Sequence, residues 1–356
     1  MVHDLSPFIF KISDNFGPRW YGFSYMLGFV CAYFMISWLV ERQRSGLQRD
    51  MVADFVTYAA FGTLIGGRLG YCLFYDPTLF WSFSGTIPFW KVLAVHEGGM
   101  ASHGGIIGIV GACWLFARKH GLNFVYLLDV AAIVGPIGVI FGRIANFING
   151  ELVGRVAPPE FPYGVRFPTD IHAWPTYEFE RLSTLTPVVE KLGIESSRWS
   201  EVVSQFKLND AARNQVYTVL NRIVNEIQGG NAELKAAIAP LLDYRYPSQL
   251  IAMATEGVFT ILLLFFLARK SHRPGWIAGS FIICYAGVRI FNEQFRLPDL
   301  QLGYEALGLS RGQWISIGML AVGVIVSLYW ARTQSSTIHG WSRGEDVKIG
   351  SRRSRR

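Results

Sequence analysis

The chain has 356 residues, of which 51% are hydrophobic, 15% aromatic and only 17% charged, with a net charge of +7. A soluble domain carries about 25% charged residues, and the apolar excess here is gathered into blocks, which excludes an ordinary water-soluble globule and indicates a multi-pass membrane protein. Cys31, Cys72, Cys113 and Cys284 each lie inside an apolar block without CxxC spacing or a nearby His, which argues against a disulfide framework and against a zinc site.

In chain order, residues 1–18 mix polar and apolar side chains, include Pro7 and Pro18, and lack the basic start and short apolar core of a cleavable signal. The first apolar block is therefore expected to remain as an anchor. Seven apolar segments follow, at 20–40, 52–75, 99–117, 124–148, 248–268, 276–292 and 314–332. Most approach the ~20 residues a helix needs to cross the hydrocarbon, the sixth being short. Helices are expected because backbone groups cannot stay unpaired in lipid. Gly62, Gly66, Gly67 and Gly70, and then Gly104, Gly105, Gly108 and Gly111, fall at spacings that let helices pack closely.

Orientation follows from the short loops. Arg42, Arg44 and Arg49 follow the first segment, Arg118 and Lys119 the third, Arg269, Lys270 and Arg273 the fifth, and Arg332 the seventh. With seven spans all of them fall on one side, which the positive-inside rule makes cytoplasmic. The expected fold is thus an all-α polytopic bundle of about seven transmembrane helices, N-terminus outside and C-terminus inside. Its parts are residues 1–154 with spans one to four, an outer head insertion at 155–246, spans five to seven within 247–332, and a basic tail at 333–356. The head begins with a Pro- and aromatic-rich stretch and continues from Thr176 to about Leu242 as amphipathic helices, with Glu178, Glu190, Glu195, Arg198 and Glu201 on the wet face and a break at Gly229-Gly230. The tail, ending Arg352-Arg353-Ser354-Arg355-Arg356, reads as a solvated topology anchor. Without basic residues interleaved with aromatics, no nucleic-acid partner is expected.

Three polar clusters stand against this apolar background. Glu97-Gly98-Gly99-Met100-Ala101-Ser102-His103-Gly104-Gly105 opens the third segment. Its glycines permit close backbone approach, and His103 either exchanges a proton near neutral pH or is a hydrogen-bonded structural histidine. In the second cluster, Arg143, Asn146 and Gly150 share one helical face at i, i+3 and i+7, beside Glu151. The plainer alternative is an interfacial Arg143 and an Asn146 that bonds a neighbouring helix. In the third, Arg289, Glu293 and Arg296 fall at i, i+4 and i+7, so two arginines bracket one glutamate. The net positive charge suits an anion, since guanidinium forks match phosphate oxygens; an internal ion-pair ladder is the alternative. On this topology all three clusters lie toward the outer surface. The inventory fits a phospholipid head group and acid–base chemistry, and fits a transporter or binder of an anionic lipid or solute equally well. No internal repeat of the transporter kind is visible.

The segment Gly142-Arg143-Ile144-Ala145-Asn146-Phe147-Ile148-Asn149-Gly150-Glu151, followed by Gly154, closely resembles the signature of the bacterial prolipoprotein diacylglyceryl transferases. So do Gly98-Gly99-Met100 leading to His103-Gly104-Gly105, and Arg289 through Pro298-Asp299. Arg19-Trp20-Tyr21-Gly22 and Pro247-Ser248-Gln249-Leu250 also match, in the right order along the membrane part. The resemblance implies an inner-membrane transferase that moves the diacylglyceryl group of phosphatidylglycerol to the thiol of a lipobox cysteine in a prolipoprotein, releasing glycerol phosphate. It implies membrane lipid and lipobox peptides as partners, and no cofactor or metal. Carried over residue by residue, His103 is the family's candidate base, Arg143 and Arg289 would hold the phosphate, and Asn146 would bond the head group. Glu293 would orient Arg289 or Arg296, and Tyr21 would bond lipid or orient His103. Glu151, Gly154 and Gly104 come over on their motifs as head-group contacts. The chain departs from the family where Tyr246 stands before Pro247 in place of His, and where Ile251-Ala252 replace Tyr-Glu. The segment between Glu151 and Pro247 is also longer than in compact members.

Overall fold

The computed structural model describes residues 1–12, 17–43, 46–95, 98–297 and 306–342. Arg44, Glu97, Pro298, Asp299 and the tail from residue 343, all invoked above, lie outside them. Among the described residues the chain is helical, with isolated β-bridges and no strand. Helices occupy each of the apolar segments: α1 (Trp20–Gln43), α2 (Val52–Phe74), α3 (Ser102–His120) and α4 (Phe124–Asn149) come before the head. After the longer head helices, α5 (Ser196–Gln205), α6 (Asp210–Gln228) and α7 (Ala232–Ile238), the chain continues as α8 (Ser248–Leu267), α9 (Trp276–Asn292) and α10 (Arg311–Thr333). By length and composition α1, α4, α8 and α10 can cross a membrane, and α9 is apolar but shorter. In α2 and α3 the packing glycines, together with Asp54 and Arg68 of α2, dilute the apolar character that the other spans show.

The chain divides into two compact units. The first comprises Met1–Leu27, Gly138–Val258 and Ala286–Gly318; the second comprises Gly28–Ile137, Phe259–Tyr285 and Met319–Arg356. In the first unit, the head encloses its own apolar core, with Trp174, Leu182, Val188, Trp199, Leu220 and Ile227 all at most 1% exposed. Asparagine side chains start two of its helices: Asn209 Oδ1 accepts from Ala212 N at 2.6 Å and Asn231 Oδ1 from Leu234 N at 3.0 Å, each taking up a backbone donor that the first turn leaves unpaired. Gly230, at φ +95°, follows the end of α6, where only glycine is comfortable.

The second unit is organised around the α2–α3 crossing. A Cβ added to Gly66 would overlap the Gly104 carbonyl, and one added to Gly108 would overlap the carbonyl of Gly62, so the two backbones touch through their small residues. Arg68, buried in α2, donates to the carbonyls of Val92 (2.7 Å), Lys91 (2.6 Å), Gly98 (2.6 Å) and Gly99 (3.1 Å). One guanidinium thereby ties down the chain that leads into α3. The four cysteines are unpaired.

Candidate functional site

The candidate cluster of the first unit begins at the end of α4. The helix closes at Asn149, and Gly150 takes a left-handed φ of +67° while its carbonyl accepts from Thr169 Oγ1 at 2.7 Å. Gly150 therefore lies beyond the helical face expected to carry it with Arg143 and Asn146. Leu152, also left-handed at φ +54°, holds a conformation that is costly for a non-glycine residue and tends to persist where surrounding structure enforces it. That structure is local: Gln249 Nε2 donates to the Glu151 carbonyl at 2.6 Å and Ser248 Oγ to the Leu152 carbonyl at 2.9 Å. Within the turn, the buried Asn146 amide donates to the Tyr21 hydroxyl (3.4 Å) and to Glu151 Oε2 (3.5 Å), and Asn149 donates to Glu151 Oε1 at 3.2 Å. Tyr21, Asn146 and Glu151 are thus one hydrogen-bonded group.

Arg143 points elsewhere. Its Nη2 and Nε donate to Glu256 Oε2 at 2.7 and 3.2 Å. Glu256 has no exposure, and it sits in a π-helical turn, Met253–Phe259, that interrupts α8. Such a turn inserts an extra residue into the helical register and re-aims its side chains, and it occurs often at functional sites. The other oxygen, Oε1, accepts from Asn292 Nδ2 at 3.0 Å and lies 4.0 Å from Arg289 Nε. Arg289 Nη1 in turn donates to Glu293 Oε2 at 2.8 Å, while Glu293 Oε1 accepts from Ser310 Oγ at 2.7 Å. Guanidinium groups from α4 and α9 are therefore joined through one enclosed carboxylate. Each arginine side chain keeps some exposure, 18% for Arg143 and 15% for Arg289, against 1% for Glu256 and 5% for Glu293, so the cations are the more accessible members of the cluster.

Two expectations change here. The helix α9 ends at Asn292, and Arg296 belongs instead to a bridge with Gly154, so Arg289, Glu293 and Arg296 do not form one continuous helical stripe. Glu293 is also not the only acid: Glu256, absent from the sequence reading, gives Arg143 a carboxylate of its own. The positive excess consequently rests on a wider set, Arg143, Arg155, Arg289 and Arg296 against Glu151, Glu256 and Glu293. Arg155 joins that set through its backbone partners, donating to the carbonyls of Arg296 (2.9 Å) and Glu293 (3.1 Å). A signal for Glu256 was present: it is the one charged residue between Ser248 and Leu267, and a lone carboxylate in an apolar span marks a candidate site.

Gly154 is where three segments meet. A Cβ there would run into the carbonyls of Tyr246 and Phe295, and its own carbonyl accepts from Arg245 Nη1 at 3.1 Å. Tyr246, one of the departures from the family pattern, packs its ring on Phe161 (4.8 Å) and Phe295 (5.3 Å) at this junction. Arg245 is 4% exposed and pairs with Asp170 at 2.5 Å, an ion pair whose rupture would strand a buried charge.

His103 and Gly104 belong to the second unit. His103 is exposed in the first turn of α3, and Gly104 is buried, its Cα face turned to Gly66 and Gly70 of α2. The close approach that the glycines permit is, at Gly104, an approach to a helix. The structure thus brings together Tyr21, Arg143, Asn146, Glu151, Gly154, Arg289, Glu293 and Arg296 in one unit, with Glu256 and Asn292 added.

Comparison with known proteins gives this geometry a context. The profile of a family described as prolipoprotein diacylglyceryl transferase matches residues 7–329. A protein of Bdellovibrio bacteriovorus is 57% identical over 349 residues, covering 98% of this chain and 99% of its own length. One from Legionella pneumophila is 31% identical over 330 residues (92% and 98%), and one from Neisseria meningitidis is 33% identical over 315 residues (87% and 92%). All three are named phosphatidylglycerol–prolipoprotein diacylglyceryl transferase.

Proposed function

The chain belongs to the prolipoprotein diacylglyceryl transferase family, and we propose that it performs its transfer at the arginine cluster joined by Glu256. It is a membrane transferase of lipoprotein biosynthesis, with phosphatidylglycerol as donor and prolipoproteins as acceptors. The reading as a transporter of an anionic lipid or solute is set aside, because the relatives carry the transferase name along nearly their whole length.

The reaction joins the sulfur of a lipobox cysteine to a carbon of the diacylglyceryl group while the bond from that carbon to a phosphate oxygen breaks. A thioether forms, glycerol phosphate leaves, and the thiol proton goes to a base. Charge has to be managed at both ends. A free thiol has a pKa near ~8.5, and a dry site raises it; the leaving oxygen gains negative charge as its bond lengthens. Arg143 and Arg289 hold the phosphate and stabilise that charge, and Asn146, its amide N–H groups held by Tyr21 and Glu151, accepts from a head-group hydroxyl through its carbonyl oxygen. Glu293 orients Arg289. Gly154 and Arg296 pair beside the cluster to contact the head group, and Gly104, expected from its motif as a head-group contact, holds α3 against α2. His103 takes the thiol proton, the role its family motif suggests.

The observation that carries this reading is the shared carboxylate: Glu256 lies 2.7 Å from one guanidinium and 4.0 Å from the other. Two cations on different helices are held as a pair before any lipid arrives, and preorganised donors of this kind are each worth about 3–4 kcal/mol when aimed at developing charge. The finer placement is part of the same proposal: seven spans in a bacterial inner membrane, N-terminus and head outside, C-terminal tail inside.

The test is transfer from labelled phosphatidylglycerol to a lipobox peptide by purified Arg143→Ala, Arg289→Ala and His103→Gln proteins. Both arginine variants should lose turnover by roughly 100-fold or more. His103→Gln should slow turnover without raising KM for the lipid. Near-normal transfer by either arginine variant removes the phosphate-holding role.

A further inference from the structure

The second unit holds a separate cluster of cations that the transfer reaction does not use. The loop between α8 and α9, together with the last turns of α10, lines a half-open cavity of about 430 Å³ with Leu267, Lys270, His272, Arg273, Trp276 and Ser327 among others. Arg269 and Arg332 stand in the same loop and helix end. No acid balances them in sequence, since there is no Asp or Glu from Gly257 to Asn292 or from Arg311 to Ser342. Among the described residues, the carboxylate that bonds this loop is that of Asp129, and it is consumed: buried in α4, it accepts from Gly275 N and Ala278 N at 2.7 Å each. Asp129 thus caps the start of α9 from another helix. Arg273 Nη1 donates to the Ala331 carbonyl at 2.7 Å, a bond that leaves its charge uncompensated.

The cavity is a built feature. His272 and Ile338 exchange backbone hydrogen bonds at 3.0 and 2.8 Å, and Trp341 Nε1 donates to the Phe265 carbonyl at 2.7 Å. Trp276 lines it and is 52% exposed. Other indole rings lie in the same part of the unit: Trp330 over Gly275, and Trp38 on Phe265 and Trp341. Tryptophan at the ends of apolar helices settles at the level of lipid head groups, and clustered Lys and Arg beside such ends attract anionic lipid.

We propose that this cavity binds the head-group phosphate of one acidic phospholipid, held by Lys270 and Arg273, with Leu267 and Trp276 against the start of its acyl chains. This is a second lipid site, made of residues distinct from Arg143, Arg289 and their partners. The test uses the delipidated full-length protein in detergent, titrated with phosphatidic acid and followed by native mass spectrometry. The wild type should hold a phosphatidic acid in addition to any held by Arg143 and Arg289, and the affinity of this additional one should fall roughly 30-fold in Lys270→Gln/Arg273→Gln. Arg143→Ala/Arg289→Ala and the charge-keeping Lys270→Arg/Arg273→Lys should both retain it. Phosphatidylcholine should bind at least tenfold more weakly, and millimolar inorganic phosphate should fail to displace the lipid. Unchanged binding by Lys270→Gln/Arg273→Gln, loss confined to the Arg143/Arg289 variant, equal binding of phosphatidylcholine, or displacement by free phosphate would each overturn the proposal.

Discussion

Glu256 shows how one side chain sets the character of the site. A carboxylate with no exposure is tolerable only if its oxygens are occupied by donors and a compensating charge, and here Arg143, Asn292 and Arg289 supply them. Glu256→Gln keeps the shape but removes the charge that holds the two guanidinium groups as a pair. Transfer should fall roughly 100-fold, with KM for phosphatidylglycerol rising and KM for the acceptor peptide unmoved; steady-state kinetics against each substrate separates these. A second residue-scale effect belongs to the N-terminal arm. His3 is 1% exposed, with its ring 5.3 Å from that of Phe147 and 5.2 Å from that of Phe167, and burial holds its pKa below the ordinary 6.5. Burial acts the same way on His172 in the same unit. The unfolded chain takes up these protons near 6.5 and the folded chain resists them, so the stability present above that pH is lost as the pH falls through it. The thermal unfolding midpoint should therefore drop between about pH 7.5 and about pH 5.5, and His3→Gln should narrow the drop.

Among the elements, α2 and α3 were legible as a pair because their glycines recur every fourth residue, the spacing of one helix face. What the spacing left open is the depth of contact: at Gly62, Gly66, Gly104 and Gly108 even one methyl group has no room. Gly108→Val should force the helices apart and destabilise the protein by about 1–3 kcal/mol or more, seen as a lower unfolding midpoint in detergent, whereas Gly111→Ala, where a Cβ meets nothing within 4 Å, should be tolerated. The π-helical turn of α8 is the opposite case. Nothing in the residues 253–259 announces an inserted residue, because a π turn is stabilised by what its side chains meet, here Arg143 and Asn292. The third cluster fell between these extremes. The i, i+4 contact of Arg289 with Glu293 was correctly spaced, but extending the face to Arg296 assumed a helix that stops at Asn292.

For the whole molecule, the distribution of Lys and Arg remains the guide to how the chain is threaded. Alkaline phosphatase fused after residue 342 should be inactive, being kept in the cytoplasm, and the same enzyme inserted near Gly193 of the head should be active. The opposite pattern would invert the proposed orientation. Where the helices lie could be read from the residues alone, since crossing or packing in lipid demands long apolar runs that local composition reveals. So could the family, through motifs spread along most of the chain. Which charge answers which emerged with the folded arrangement. Arg143 meets a carboxylate 113 positions away, and Arg296 pairs its backbone with Gly154 instead of extending a helix. Such partners are chosen by desolvation: a buried charge takes whichever opposite group the fold brings within reach, and sequence distance carries no record of that.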